Sequence, residues 1–76
     1  MELKVIVREE RGSFWSEVPD LPGCLATGRT LSELHEALAE AIGMYLWDLP
    51  AELDRPLDRP GELTIVATPL PAWPPS

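Results

Sequence analysis

Residues 2–8 alternate in polarity. Leu3, Val5 and Val7 share one side of the chain, and Lys4, Ile6 and Arg8 share the other. Period two with β-branched residues predicts a half-buried strand. A polar turn, Glu9-Glu10-Arg11-Gly12, follows, and its glycine suits φ > 0. Residues 13–18 then read as a second strand, with Phe14, Ser16 and Val18 on one face and Ser13, Trp15 and Glu17 on the other. Two strands joined by a short glycine-containing connection predict a β-hairpin.

Pro19-Asp20-Leu21-Pro22-Gly23-Cys24 interrupts the pattern. Pro22 and Gly23 stand at the two central positions of a four-residue reversal, the chemistry of a type II turn over 21–24. A short third strand is predicted over 24–27. Thr30-Leu31-Ser32-Glu33 is a capping box, in which the threonine side chain meets an orphan amide and the glutamate reaches back. Leu31, Leu34, Leu38, Ala41, Ile42 and Tyr45 then recur at helical spacing, with Glu33, Glu36 and Glu40 on the opposite face. Pro50 disfavours helix in the residue before it, which predicts a helix ending near Trp47 or Asp48.

Residues 48–61 read as a loop holding Pro50, Pro56 and Pro60, with one helical turn that Pro50 starts. A final strand places Leu63, Ile65 and Ala67 on one face and Thr64, Val66 and Thr68 on the other. Residues 69–76 form a proline-rich tail, expected to be extended and either disordered or docked through Trp73. The order β-β-β-α-β predicts a two-layer α+β domain over 1–68, a four-stranded sheet with one helix on one face. Ile6, Trp15 and Val66 make the other face partly apolar. One helix cannot cover both faces, so a second chain is the expected cover.

Composition narrows the function. The chain has 76 residues, enough for one small core. A lone core of this size rarely supplies more than about 3–5 kcal/mol, which makes a homo-oligomer, a dimer or higher, the expected state. Thirteen acids against six bases give a net charge of −7. That argues against a binder of phosphate backbones or of anionic membranes. No apolar run approaches the roughly 20 residues needed to span a bilayer. The opening Met1-Glu2-Leu3-Lys4 is not a signal peptide, so a cytoplasmic protein is expected by default. Asparagine and glutamine are absent and prolines crowd the loops, as in thermophile proteins.

Candidate chemistry is sparse. The single cysteine excludes an intramolecular disulfide and a CxxC metal site. Cys24 lacks a base at any telling spacing, so a buried structural thiol is the favoured reading. His35, the only histidine, sits at the edge of the apolar stripe and reads as a packing or solvent residue rather than a general base. Glu2, Glu17, Asp20 and Glu62 fall at strand ends and turns, which favours solvated acids over a two-metal nuclease site. No catalytic residue, cofactor or metal site is expected. The acidic helix face is different. At 100° per residue Trp47 falls near Glu40, which sets an indole beside carboxylates. Glu33, Glu36, Glu40 and Trp47 are therefore the candidate partner contacts.

Val18-Pro19-Asp20-Leu21-Pro22-Gly23-Cys24, followed by Gly28-Arg29-Thr30-Leu31-Ser32-Glu33, resembles the HicB-type antitoxin family, the stand-alone HicB-like domains in particular. The likeness continues through Glu36-Ala37 and Glu40-Ala41-Ile42 and covers residues 3–68. It implies a partial RNase H-like fold with strand order 3-2-1-4 and the last strand parallel to the first. It also implies dimers, and a small basic HicA-type RNA-cleaving toxin as partner, bound and neutralised without catalysis. Pro19, Asp20, Pro22, Gly23 and Thr30 are then architectural. Leu34 stands where the family often has alanine. Longer members carry a C-terminal DNA-binding segment; this sequence ends soon after its fourth strand, so direct DNA binding is not expected. The rival readings are a degenerate metal-dependent nuclease and a free-standing dimeric regulatory or ligand-binding domain.

Overall fold

A computed structural model describes residues 1–68 and 70. Four strands, β1 (Glu2–Glu10), β2 (Ser13–Glu17), β3 (Leu25–Gly28) and β4 (Gly61–Val66), form one sheet of order β3-β2-β1-β4. One helix, α1 (Leu31–Gly43), lies between β3 and β4 in the chain. The α+β class and the single helix match the sequence pattern, and the strand order is the one the family resemblance implies. Beyond β4, the Leu70 amide donates to the Tyr45 carbonyl at 2.9 Å, which holds that residue against the turn after α1. The expectations for Trp73 and its neighbours lie outside the described residues.

The β1–β2 hairpin is tighter than the sequence suggested. Glu10 pairs with Ser13, and Arg11 (φ 53) and Gly12 (φ 81) are both left-handed. Two positive φ values mark a two-residue turn whose twist matches that of the strands. Below β2 the chain makes two consecutive reversals. The Leu21 amide bonds the Val18 carbonyl at 2.9 Å around Pro19 and Asp20, and the Cys24 amide bonds the Leu21 carbonyl at 3.1 Å around Pro22 and Gly23. Gly23 has φ 76, as the second central residue of a type II turn requires. Leu21 is turned inward and buried.

Two expectations are corrected. First, β4 runs antiparallel to β1, with Glu2 opposite Val66 and Val7 opposite Gly61, so it is not parallel to the first strand. The right-handed rule for parallel crossovers does not apply to it. The helix runs down the sheet from the end of β3, and residues 44–60 carry the chain back up before β4 descends. This return segment has a packing role. α1 packs chiefly on β3 and then on β2. Leu46, Pro50 and Leu53 are buried and Leu57 is half-buried on the return path. They cover the part of the core face that the helix leaves open.

Second, α1 ends at Gly43 and not near Trp47 or Asp48. Gly43 is a weak helix former, and Met44 and Tyr45 tighten the last turn by bonding Ala41 and Ile42 carbonyls. The backbone then changes partner. The Trp47 amide donates to the Thr68 carbonyl at 3.1 Å, which holds 45–47 against the segment after β4. Trp47 is therefore not a helical residue, and its placement beside Glu40 by helical rotation fails.

The helix begins as the capping box predicts, with one variation. The Glu33 amide donates to Thr30 Oγ1 at 3.0 Å, and Glu33 Oε2 accepts from the Arg29 amide at 2.8 Å, one residue before the cap. The first turn lies very close to β3. A Cβ added at Gly28 would stand 2.5 Å from the Leu34 amide nitrogen, so only glycine fits this approach. Leu34, Leu38 and Ile42 point into the core beside Leu3, Val5, Val18 and Ile65. Among the described residues, Ser16 is the one buried polar side chain, and its Oγ has no hydrogen-bond partner.

Candidate functional site

The buried stripe of α1 fixes what its outer face presents. With Leu34, Leu38 and Ile42 inward, Glu33, Glu36 and Glu40 are exposed on the opposite side. They do not form one equivalent row. Glu33 is engaged by the Arg29 amide at the helix start. Glu36 and Glu40 are one turn apart farther down. Met44 keeps helical dihedrals (φ −75, ψ −15) and so continues the Glu36–Glu40 side of the helix by another turn. Trp47 lies beyond the helix end and is 59% exposed. The exposed apolar residues at this end therefore include Met44 (75%) and Leu49 (40%) as well, neither of which sequence reasoning singled out.

The three other candidates, Cys24, His35 and the strand-end acids, are kept apart by the fold. Cys24 is buried, and loss of water pushes its thiol pKa up, toward the protonated and unreactive form. His35 is tied elsewhere, its Nε2 lying 2.6 Å from the Leu53 carbonyl, which makes Nε2 the protonated ring nitrogen. This bond holds the return segment to the side of α1. The four acids of the nuclease reading are dispersed. Glu17 and Glu62 lie on either side of Ile6 on the open face of the sheet, Glu2 is opposite Val66, and Asp20 is in the exposed turn. Among the described residues no group of three or more His, Cys, Asp or Glu side chains is placed to share an ion. A surface cleft of about 380 Å³ lies between Val7 and the strand entry at 57–63, floored by Leu57 and Leu63.

The open sheet face carries the apolar residues expected of it, Ile6, Trp15 and Val66, and adds Leu25. Part of it is already occupied by its own charges. The Arg8 guanidinium carbon stands 5.9 Å from the Trp15 ring centre, and Lys4 Nζ is 3.4 Å from Glu62 Oε1. No helix among the described residues is long and apolar enough to cross a membrane.

The Pro-Asp-Leu-Pro-Gly-Cys turns and the capped helix are thus one connected unit, tied by the Tyr45 hydroxyl to the Pro22 carbonyl and seated on the sheet. The family described as a HicB-like antitoxin of bacterial toxin–antitoxin systems matches residues 4–69. The chain belongs to the HicB-like antitoxin family. Its relatives include a UPF0150 protein of Archaeoglobus fulgidus, 45% identical over 42 residues, which are 55% of this chain and 61% of that protein. The chain thus spans less than two thirds of that relative's length. A UPF0150 protein of Thermoplasma acidophilum is 34% identical over 83% of this chain and 93% of its own length. A UPF0150 protein of Helicobacter pylori is 31% identical over 68% of this chain and 72% of its own length. No solved structure gives a significant match.

Proposed function

We propose that this HicB-like protein is a non-enzymatic cytoplasmic antitoxin that binds a small basic HicA-type RNA-cleaving toxin and neutralises it. The observation that carries this reading is the family match over residues 4–69 in a chain of net charge −7. An RNA-cleaving protein presents a cationic surface to phosphates. An acidic protein competes for that surface and is drawn to it by long-range attraction. Glu33, Glu36, Glu40 and Trp47 are the contacts assigned to the partner. The carboxylates steer, and the indole supplies desolvated area. The protein acts as a homo-oligomer, whose second copy adds the burial that a core of this size lacks.

Co-expression tests the reading. A small basic HicA-type protein, sought among the reading frames that adjoin this chain's gene, is induced alone and with it. Restored growth, together with a complex that survives gel filtration at low salt and weakens as salt rises, is the expected result. Continued toxicity with no complex at low salt overturns it.

A further inference from the structure

The lower end of α1 has an electrostatic imbalance that its own chain does not correct. The last turn of the helix holds no basic residue, yet Glu40 lies in it and Asp48 follows just beyond. Helix C-terminal carbonyls already carry partial negative charge, so acids there oppose the helix dipole. Among the described residues the one ion pair, Lys4–Glu62, lies away on the open face of the sheet. The stretch that follows the helix holds three exposed apolar side chains within six positions, Met44 (75%), Trp47 (59%) and Leu49 (40%), interleaved in sequence with Asp48 and one helical turn on from Glu40. Exposed large apolar side chains concentrated in one short segment, among charges of one sign, have the character of an interface.

We infer that Met44, Trp47 and Leu49, with Glu36, Glu40 and Asp48 at their rim, form the docking surface for a cationic amphipathic segment of the toxin. The inference rests on the toxin-binding reading for the identity of the partner, and it redraws the contact set. Glu33 leaves it, because its carboxylate serves the Arg29 amide at the other end of the helix. Met44, Leu49 and Asp48 join it. The segment that fits carries a bulky apolar side chain for the Met44–Trp47 cluster and Lys or Arg side chains for the carboxylates. A second copy of this chain is a poor fit. A two-fold contact through this surface sets its acids against their own copies, which is repulsive.

Two probes separate this inference from the reading it rests on. The first is the small basic HicA-type protein of the co-expression test. The second is a synthetic 14-residue Leu/Lys amphipathic peptide, with binding mapped by amide chemical shifts. The expected results are shifts confined to 36–49 with the peptide and a loss of affinity of about tenfold or more, roughly 1.4 kcal/mol, for Trp47→Ala, Met44→Ser or Glu40→Lys. Leu25→Ser on the open sheet face leaves affinity unchanged. All these positions are exposed, and melting curves confirm that the variants fold. Unchanged neutralisation by all three patch variants overturns the docking surface and leaves the antitoxin reading standing. Peptide shifts at 36–49 without any neutralisation uphold the surface chemistry and overturn the antitoxin reading. Two other outcomes also overturn the docking surface. One is Trp47→Ala converting an oligomer into monomers, which assigns the surface to a second copy. The other is removal of 71–76 creating binding that the full chain lacks, which assigns it to the chain's own tail.

Discussion

Tyr45 reaches back across 23 positions of chain to Pro22, its hydroxyl donating to the proline carbonyl at 2.7 Å. One residue belongs to the turn that follows α1, the other to the Pro-Gly reversal between β2 and β3. The bond fixes the lower end of the helix against the most distinctive loop of the sequence, next to the surface assigned to the partner.

Tyr45→Phe removes that hydroxyl while keeping the ring. The contact is solvent-accessible, so water can satisfy the freed carbonyl and the loss is modest, about 0.5–1.5 kcal/mol. In a domain of this size 1 kcal/mol moves the melting midpoint by roughly 4–8 °C. Thermal unfolding followed by circular dichroism checks it; an unchanged midpoint removes the bond from the stability argument.

Gly28→Ala is expected to be far more damaging than its one added carbon suggests. That carbon meets the Leu34 amide nitrogen at 2.5 Å, and backbone cannot rotate out of the way as a side chain can. Helix and strand must separate, at about 1–3 kcal/mol for overpacking of this kind. Urea denaturation measures the loss. A stability equal to the parent's means that the helix start is not seated on β3 as described.

Ser16→Ala should be neutral or stabilising, by up to about 1 kcal/mol. The serine Oγ is buried with no partner, and its removal ends an uncompensated desolvation. A clear destabilisation in the same urea assay means that a hydrogen bond to Oγ forms in solution.

Alkaline pH reports on Cys24. Burial raises its thiol pKa above the ordinary value of 9.0. As pH climbs past that value the unfolded chain gives up this proton first, while the folded chain still holds it. The folded state then binds more protons, so stability falls with rising pH. The contribution is whole below about pH 9 and is lost on the way up through the folded pKa. Urea midpoints taken from pH 7 to 10 should decline more steeply for the parent than for Cys24→Ala. Equal slopes contradict the assignment.

The fold was legible where local chemistry had one solution. Thr30 to Glu33 could cap a helix and little else, and Leu21 to Cys24 could only reverse the chain. Alternation in β1, β2 and β4 gave the inward faces, because a one-residue slip would turn every valine and leucine outward. The direction of β4 was not legible. It depends on residues 44–60 climbing back beside the helix, and their buried positions, Leu46, Pro50 and Leu53, follow no single period. The end of α1 was misjudged for a related reason. Pro50 marks the last residue at which a helix must have stopped, whereas Gly43 and the pairing of Trp47 with Thr68 stop it earlier. Of the surface residues, Glu36 and Glu40 could be assigned to the outer face from spacing alone. Met44 and Leu49 could not, since exposure of an apolar side chain is decided by what fails to cover it.

Glu52 sits at the outer margin of β4, where its carboxylate accepts the Val66 amide at 3.0 Å. That amide is one a neighbouring ribbon would need in order to add to the sheet on this side. Growth by strand addition requires two accessible margins, one to receive and one to pass the chain on. With this amide engaged by the molecule's own glutamate, the β4 margin offers one donor fewer to an added strand, and β3 is the other margin of the sheet.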